Sequence, residues 1–440
     1  MQSNSQPPRQ EVLTPPPRKT LLPPHILVVL FGFFAMVFDA YDVIVYGATV
    51  PALLAYPGWG LTPAQVGAIG GAALFGMVFG APASGWLSDR FGRRMVFIGL
   101  LAWFSVMMLL ASWAPTPELL GLFRFLAGLG FGGIPPTALA LTTEFAPKER
   151  RALFNSLTMA GFGVGAMIAG GLAVVLLERI GFRGMYAIGG LPLFTLVPLA
   201  LWLLPESPNF QRSSATPASG VKQASPWNGV LRGRAVVATA LFAAAFFCIF
   251  FLVYGLNTWL TQLLRGAGHE LSVALKLLVL LNGAAIIGSV SGAWIADRVG
   301  MRNVSATSAV VVAISLVLLA LLSPPLALTA VLIFVTGVAM GGAQGVLWTY
   351  LATYYEPTSR ASALGLCSGI GRLGAAAAPL LVGILVGGGM GLAGNILILA
   401  GAAVLAALVI SLVPRRPVVP APLHPAASAG NEGRRDGAIA

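Results

Sequence analysis

Charged residues are scarce in this 440-residue sequence. Only 9% of the residues are Asp, Glu, Lys or Arg, whereas 57% are hydrophobic. Soluble domains carry roughly 25% charged residues. The composition therefore excludes a cytosolic enzyme, a secreted scaffold and a disordered protein. Together with a mean hydropathy of +0.86, it predicts that a lipid bilayer is the natural solvent of the chain.

Cysteine and histidine are also nearly absent. Cys248 and Cys367 both lie in apolar stretches, which excludes a disulfide framework and cysteine ligands at metal-binding spacing. The three histidines form no HxxxH or HxxE pattern, and the sequence contains no GxSxG, HExxH or CxxC motif. We therefore expect no metal, no cofactor and no enzymatic catalysis.

Twelve apolar stretches lie between residues 26 and 413, and each has about the 20 residues that a membrane span needs. The fifth and sixth are predicted over 152–177 and 184–204. The sequence thus predicts an all-α membrane protein with twelve transmembrane helices. The predicted division of the chain is a disordered tail (1–24), a six-helix bundle (25–204), a polar interdomain loop (205–233), a second six-helix bundle (234–413) and a second disordered tail (414–440).

Basic residues predict the orientation of these helices. With both termini in the cytoplasm, the cytoplasmic segments hold 20 of the 26 Lys and Arg residues and the external loops hold 3. Such an excess marks the cytoplasmic side. The same distribution explains the net charge of +12 without nucleic acid, because the basic residues are spread over seven segments and form no dense patch.

An internal repeat relates the two bundles. The loop GWLSDRFGRR at 85–94 matches AWIADRVGMR at 293–302, with an offset of 208 residues. Pro147 and Arg150 match Pro357 and Arg360 at nearly the same offset, 210 residues. Both matches fall on one predicted side of the membrane, so the halves are predicted to be parallel repeats. Transporters built in this way bind substrate near the midplane, between the halves.

The loop at 85–94 resembles the G-x-L-x-D-R-x-G-R-R motif of the major facilitator superfamily. Two further stretches, FDAYDVIVYG in the first span and RFLAGLGFGGIPPTALALTTEF in the fourth, resemble the aromatic acid:proton symporter branch. That branch usually reads D-G-x-D and R-x-x-x-G-x-G-x-G-G-x-x-P-N, whereas Ala40 and Thr137 stand here in place of Gly and Asn. The resemblance implies the fold of that superfamily and transport of an aromatic acid.

Two carboxylates lie deep in the first predicted span. Asp39 and Asp42 are three residues apart, so they share a helix face that Tyr46 and Thr49 continue. A charged residue at the centre of a span costs about 2.5–3.5 kcal/mol on insertion scales and is usually functional. Two close carboxylates in a low dielectric are expected to titrate as a unit. We predict that the pair couples transport to protons, with a purely structural pair as the alternative.

Arg124 and Arg372 are the arginines inside predicted spans. A guanidinium matches a carboxylate in shape, so each arginine is predicted either to bind a substrate carboxylate or to be the counter-ion of Asp39 or Asp42. For Arg124, an ion pair with Glu118 is a further alternative.

Polar and aromatic residues of other spans are expected to line a binding cavity. On the seventh span, one face changes from aromatic to polar along its length, which lipid contact would not favour. This stripe consists of Phe246, Phe250, Tyr254, Asn257 and Thr261. Asn282 is a weaker candidate. Packing without contact to substrate remains the alternative for the predicted substrate-binding set of Tyr46, Tyr254, Asn257, Gln344 and Trp348.

The resemblance further implies an ion-pair cluster at the loop motifs that stabilises the outward-facing state. The alternative is a set of solvated charges that only anchor the loops. The residues concerned are Asp89, Arg90, Arg93, Glu144 and Asp297.

The sequence therefore predicts a symporter that imports a small aromatic carboxylate together with protons. We expect it to be a monomer in the bacterial inner membrane. Three alternatives remain open: a proton-coupled importer of non-aromatic organic acids, a drug:proton antiporter, and a membrane receptor that only binds aromatic compounds.

Overall fold

The computed structural model describes residues 23–147, 150–206, 230, 234–322 and 325–414. Almost all of the predicted tails and of the interdomain loop lie outside these residues.

Twelve α-helices are present in the described chain, and eleven of them are long and apolar enough to cross a membrane. The all-α prediction is thus confirmed. The helices are α1 (Pro24–Leu54), α2 (Pro63–Phe91), α3 (Arg93–Ser112), α4 (Pro117–Phe145), α5 (Arg151–Gly189), α6 (Leu196–Leu203), α7 (Arg234–Gly266), α8 (Leu271–Val299), α9 (Met301–Leu322), α10 (Leu326–Tyr354), α11 (Pro357–Gly387) and α12 (Leu392–Leu412).

The sixth crossing is broken, so the prediction of one continuous helix over 184–204 is wrong. α5 kinks at Gly181, whose φ of 64° is accessible mainly to glycine. The chain then forms a 3-10 turn, Leu191–Leu193, before α6 begins. Pro192 lies in this turn and has no amide hydrogen to donate to a preceding carbonyl. Apolar composition alone does not reveal such a break.

This broken segment still runs along the whole of α3. At one end of α3, the side chain of Arg183 donates to the carbonyl of Ala114 at 3.1 Å. At the other end, Arg94 donates to the carbonyl of Leu201 at 2.6 Å. The segment after Gly181 therefore completes a sixth crossing.

The internal repeat is visible in the backbone. Six glycines have positive φ in the described chain, and they form three pairs that are each 208 residues apart. The pairs are Gly60 and Gly268, Gly92 and Gly300, and Gly181 and Gly389. A glycine with positive φ thus recurs at three matched positions, as expected for parallel six-helix repeats.

The repeated loop motif has the same role in both halves. Arg94 donates to Leu201 near the end of α6, and Arg302 donates to the carbonyl of Ser411 near the end of α12. The last carbonyls of a helix have no partner within that helix. In each half, this arginine therefore caps the last crossing.

The halves contact each other mainly at one end. We call the end where α1 begins the base and the opposite end the top. Near the top, Gly67 of α2 lies against the carbonyl of Pro379 on α11, and Gly47 of α1 lies against the carbonyl of Asn257 on α7. A side chain at either glycine would collide with that carbonyl.

The space between the halves opens toward the base. On the base half of α11, no heavy atom of a neighbouring element lies within 4 Å of where a Cβ would sit on Gly365 or Gly369. Trp348, in the base half of α10, is 36% exposed. In the predicted orientation, this opening faces the cytoplasm.

Candidate substrate and proton site

Asp42 and Arg124 form a buried ion pair inside the first half. Arg124 Nη1 and Nη2 donate to the two carboxylate oxygens of Asp42 at 2.6 and 3.3 Å. The two side chains are 1% and 3% exposed. The guanidinium also lies 4.3 Å from the centre of the Tyr46 ring, a cation–π contact. Arg124 therefore pairs with Asp42 and not with Glu118, which is exposed.

Tyrosines hold this pair in place. Tyr46 OH donates to the carbonyl of Val66 on α2, and its ring supports Arg124. The ring centre of Tyr186, in the sixth crossing, lies 5.9 Å from the guanidinium carbon of Arg124. The Tyr186 hydroxyl is hydrogen-bonded to the Thr49 hydroxyl at 3.0 Å. Sequence reasoning missed Tyr186, because a single tyrosine in an apolar stretch does not reveal which residues of other helices lie beside it.

Asp39 has no such partner. It is 5% exposed, and its Oδ1 has no hydrogen-bond partner within the described residues. The charge of Arg372 on α11 acts on Asp39. The charges of Arg372 and Asp39 both act on Tyr254 of α7. These three side chains therefore approach one another across the space between the halves.

Arg372 is the unpaired arginine of the site. It is partly exposed, and it has no carboxylate within 4 Å in the described part of the chain. The site thus holds two carboxylates and two arginines. The ion pair between Asp42 and Arg124 is formed, whereas Asp39 and Arg372 form none within the described residues.

Aromatic rings extend the site toward the base. Trp348 lies 4.8 Å from Phe246 and 6.3 Å from Phe250, measured between ring centres. Phe250 in turn lies 5.9 Å from Tyr254. Gln344, one turn from Trp348 on α10, is partly buried. The predicted stripe on α7 thus forms one aromatic cluster with Trp348.

Two amides lie one turn above Tyr254. Asn257 is 3% exposed, and its Oδ1 accepts a hydrogen bond from Asn282 Nδ2 on α8 at 2.9 Å. Asn282 is partly exposed. The weaker candidate from the sequence is therefore directly bonded to a residue of the predicted binding set.

The predicted gating residues form one contact within the first half. Arg93 at the start of α3 forms an ion pair with Glu144 at the end of α4. Arg90 stacks on the Trp86 ring at 5.6 Å, as Arg298 stacks on Trp294 at 3.7 Å. The function of this cluster in stabilising the outward-facing state stays a prediction.

Asp297 is not brought into that ion pair. Asp297 is exposed. The side chain of Asp89 lies outside the described part of the chain.

Comparison with known proteins identifies the family. The sequence model of the major facilitator superfamily matches residues 32–325 and 276–436. The chain belongs to the major facilitator superfamily. It is therefore a multi-pass membrane transporter and not an enzyme. A crystal structure of a D-xylose–proton symporter has the same fold, with a TM-score of 0.71 over 88% of this chain and 97% of that one, at 20% identity.

Relatives of known function transport aromatic acids. A gentisate transporter from Corynebacterium glutamicum is 37% identical over 89% of this chain and 88% of its own length. A benzoate transport protein from Acinetobacter baylyi is 33% identical over 93% of this chain and 94% of its own. The resemblance to a family of aromatic acid transporters is thus confirmed.

Proposed function

We propose that this protein is a proton-coupled symporter that imports a small aromatic carboxylate across the bacterial inner membrane by alternating access. The main support is that the four charges of the site are paired unequally. Arg124 is neutralised by Asp42, whereas Arg372 and Asp39 face the space between the halves without a closed ion pair. The names of the two relatives support an aromatic acid as the substrate class.

Arg372 binds the substrate carboxylate. Its guanidinium offers a planar set of donors that fits a carboxylate in two parallel hydrogen bonds. Phe246, Phe250 and Trp348 supply ring surfaces beside it. Aromatic rings pack on such surfaces edge-to-face or offset, with a gain of about 0.5–1.5 kcal/mol for each pair.

Asp39 carries the proton. A buried carboxylate oxygen without a donor costs free energy, and protonation or a nearby cation removes that cost. When Asp39 is ionised, it attracts Arg372 and competes with the substrate carboxylate. When Asp39 is protonated, Arg372 is released to bind the anion. Proton and substrate are therefore bound together.

Alternating access then carries both species to the cytoplasm. In the top-open state, Asp39 takes a proton from outside and Arg372 binds the anion. The halves rock to the base-open state described above, where the higher cytoplasmic pH removes the proton from Asp39. Ionised Asp39 again attracts Arg372, and the substrate leaves.

Transport by purified protein in liposomes tests these roles. With the external solution at pH 6 and the lumen at pH 7.5, the parent protein is expected to accumulate radiolabelled benzoate or hydroxybenzoate. D39N should abolish accumulation that is driven by the pH gradient but retain exchange of external for internal substrate. R372A should raise KM by about 10- to 100-fold, because a hydrogen bond to a charged group contributes about 1.5–3 kcal/mol.

Two surface variants serve as matched controls. E178Q makes the same carboxyl-to-amide change at an exposed position, and R265A removes an exposed arginine near the top. Both should accumulate substrate as the parent protein does. Full pH-driven accumulation by D39N would exclude Asp39 as the proton carrier, and an unchanged KM in R372A would exclude Arg372 as the carboxylate site.

A further inference from the structure

The amide of Asn282 offers the substrate site a group that can only accept a hydrogen bond. Asn282 Nδ2 donates to the carbonyl of Leu278 at 3.0 Å and to Asn257 Oδ1 at 2.9 Å. An amide nitrogen carries two hydrogens, so both are used. The orientation of Asn257 is fixed in turn, because its Nδ2 donates to the carbonyl of Val253 at 2.8 Å.

The free group is the oxygen of Asn282. No donor within the described residues bonds to Asn282 Oδ1, and this oxygen is not among the fully buried atoms without a partner. It is therefore accessible and can only accept a hydrogen bond. A bound molecule that carries a hydrogen-bond donor satisfies it.

Asn282 faces the space between the halves and not the lipid. Val279 and Ile286, on the same face of α8, pack against Gly170 and Gly163 of α5 in the first half. Asn282 is three residues after Val279 and four before Ile286, so it lies on that face. Its partner Asn257 is on α7, where the backbone contacts α1.

The amide pair also lies close to the proposed carboxylate site. Asn257 follows Tyr254 by three residues on α7, which is a rise of about 4.5 Å. The charges of Asp39 and Arg372 act on Tyr254. The amide pair therefore lies within about one helical turn of Tyr254, on which both charges of the proposed carboxylate site act.

We infer that Asn282 Oδ1 accepts a hydrogen bond from a hydroxyl group on the substrate ring, which makes the protein selective for hydroxybenzoates over benzoate. The inference rests on the proposed function, because it needs an aromatic carboxylate at Arg372. A methoxy group has an oxygen but no hydrogen to donate, so methoxybenzoates are rejected with benzoate. Hydrogen-bonding sites discriminate against analogues that leave their polar group unpaired.

Competition uptake in liposomes tests this selectivity. Benzoate is compared with 2-, 3- and 4-hydroxybenzoate, 2,5-dihydroxybenzoate and the matching methoxybenzoates. The parent protein should prefer at least one hydroxybenzoate by about 10-fold in kcat/KM over benzoate and over its methoxy analogue, since one hydrogen bond is worth about 1.4 kcal/mol. N282L should lower both ratios about 10-fold.

Asn303 provides a matched control. Its Nδ2 also donates to the carbonyl four residues earlier, Val299, but the side chain is exposed at the base. N303L should leave both selectivity ratios unchanged. A second variant, N257L, frees one hydrogen of Asn282 Nδ2. The site then offers a donor as well, so the preference for hydroxyl over methoxy should fall even if N282L does not fold.

The possible results are distinct. If the parent protein transports neither benzoate nor any hydroxybenzoate, the proposed function fails. If the parent transports them with equal kcat/KM, or if N282L and N257L keep the parent ratios, the assignment to Asn282 is overturned while the proposed function stands.

Discussion

Removing either member of the Asp42–Arg124 pair is expected to destabilise the fold, but with different dependence on pH. Loss of one partner from a buried ion pair costs about 3–5 kcal/mol, whereas replacing both by apolar residues is often neutral. In D42L, the Arg124 guanidinium, 3% exposed, stays charged because arginine does not lose its proton in proteins. In R124L, the remaining carboxyl can become neutral by binding a proton.

The pH dependence follows from proton linkage. In R124L, the buried Asp42 carboxyl lacks its counter-ion, and binding a proton removes the uncompensated charge. Folding that takes up one proton is favoured as the pH falls, by at most about 1.4 kcal/mol for each pH unit. Lowering the pH should therefore restore stability to R124L. D42L should gain nothing comparable.

Thermal unfolding of purified protein in detergent measures this difference. The melting temperatures of the parent, D42L, R124L and D42L/R124L are compared at pH 7, 6 and 5, each relative to the parent at that pH. The double variant should be more stable than D42L at every pH. Equal responses of D42L and R124L to pH, or additive effects in the double variant, would refute the reasoning.

Two further predictions concern the gate and the aromatic cluster. G67V should prevent closure at the top, because its side chain collides with the Pro379 carbonyl. The base-open state would then be less populated, so a cysteine placed at Gly365 should react more slowly with a maleimide supplied from the base side. Unchanged labelling would contradict this. W348A should raise KM for benzoate about 2- to 12-fold through the loss of ring contact, worth about 0.5–1.5 kcal/mol. W348F should retain most of the affinity, and equal effects of the two variants would argue against ring packing.

Local patterns in the sequence were sufficient for the fold. Apolar stretches predicted the helices, and the 208-residue offset of the loop motif predicted the repeat that the paired glycine turns confirm. The break near Pro192 was not predicted, because the hydropathy of 184–204 is that of a continuous span. A hydropathy pattern measures solvation by lipid, and it is insensitive to the loss of one backbone hydrogen bond.

Pairing within the site could not be predicted from the sequence. Asp39, Asp42, Arg124 and Arg372 were all placed inside spans, and either arginine was a possible partner for either aspartate. The choice depends on how α1 crosses α4, and on Tyr46, whose ring supports Arg124. Helix periodicity gives the face on which a residue lies, whereas crossing geometry gives its neighbour.

The unpaired charges lie on opposite halves, which gives a physical reason for coupling. Asp39 belongs to α1 and Arg372 to α11, so in the proposed transport cycle their attraction acts across the space that opens and closes. A ligand shifts such an equilibrium only if it binds the two states differently. Protonation of Asp39 and binding of an anion at Arg372 both weaken the same attraction. Each therefore alters the balance between the two states, and together they leave the site without an uncompensated charge. The Asp42–Arg124 pair lies within one half, so rigid-body rocking of the halves would leave it in place, which suits a structural role.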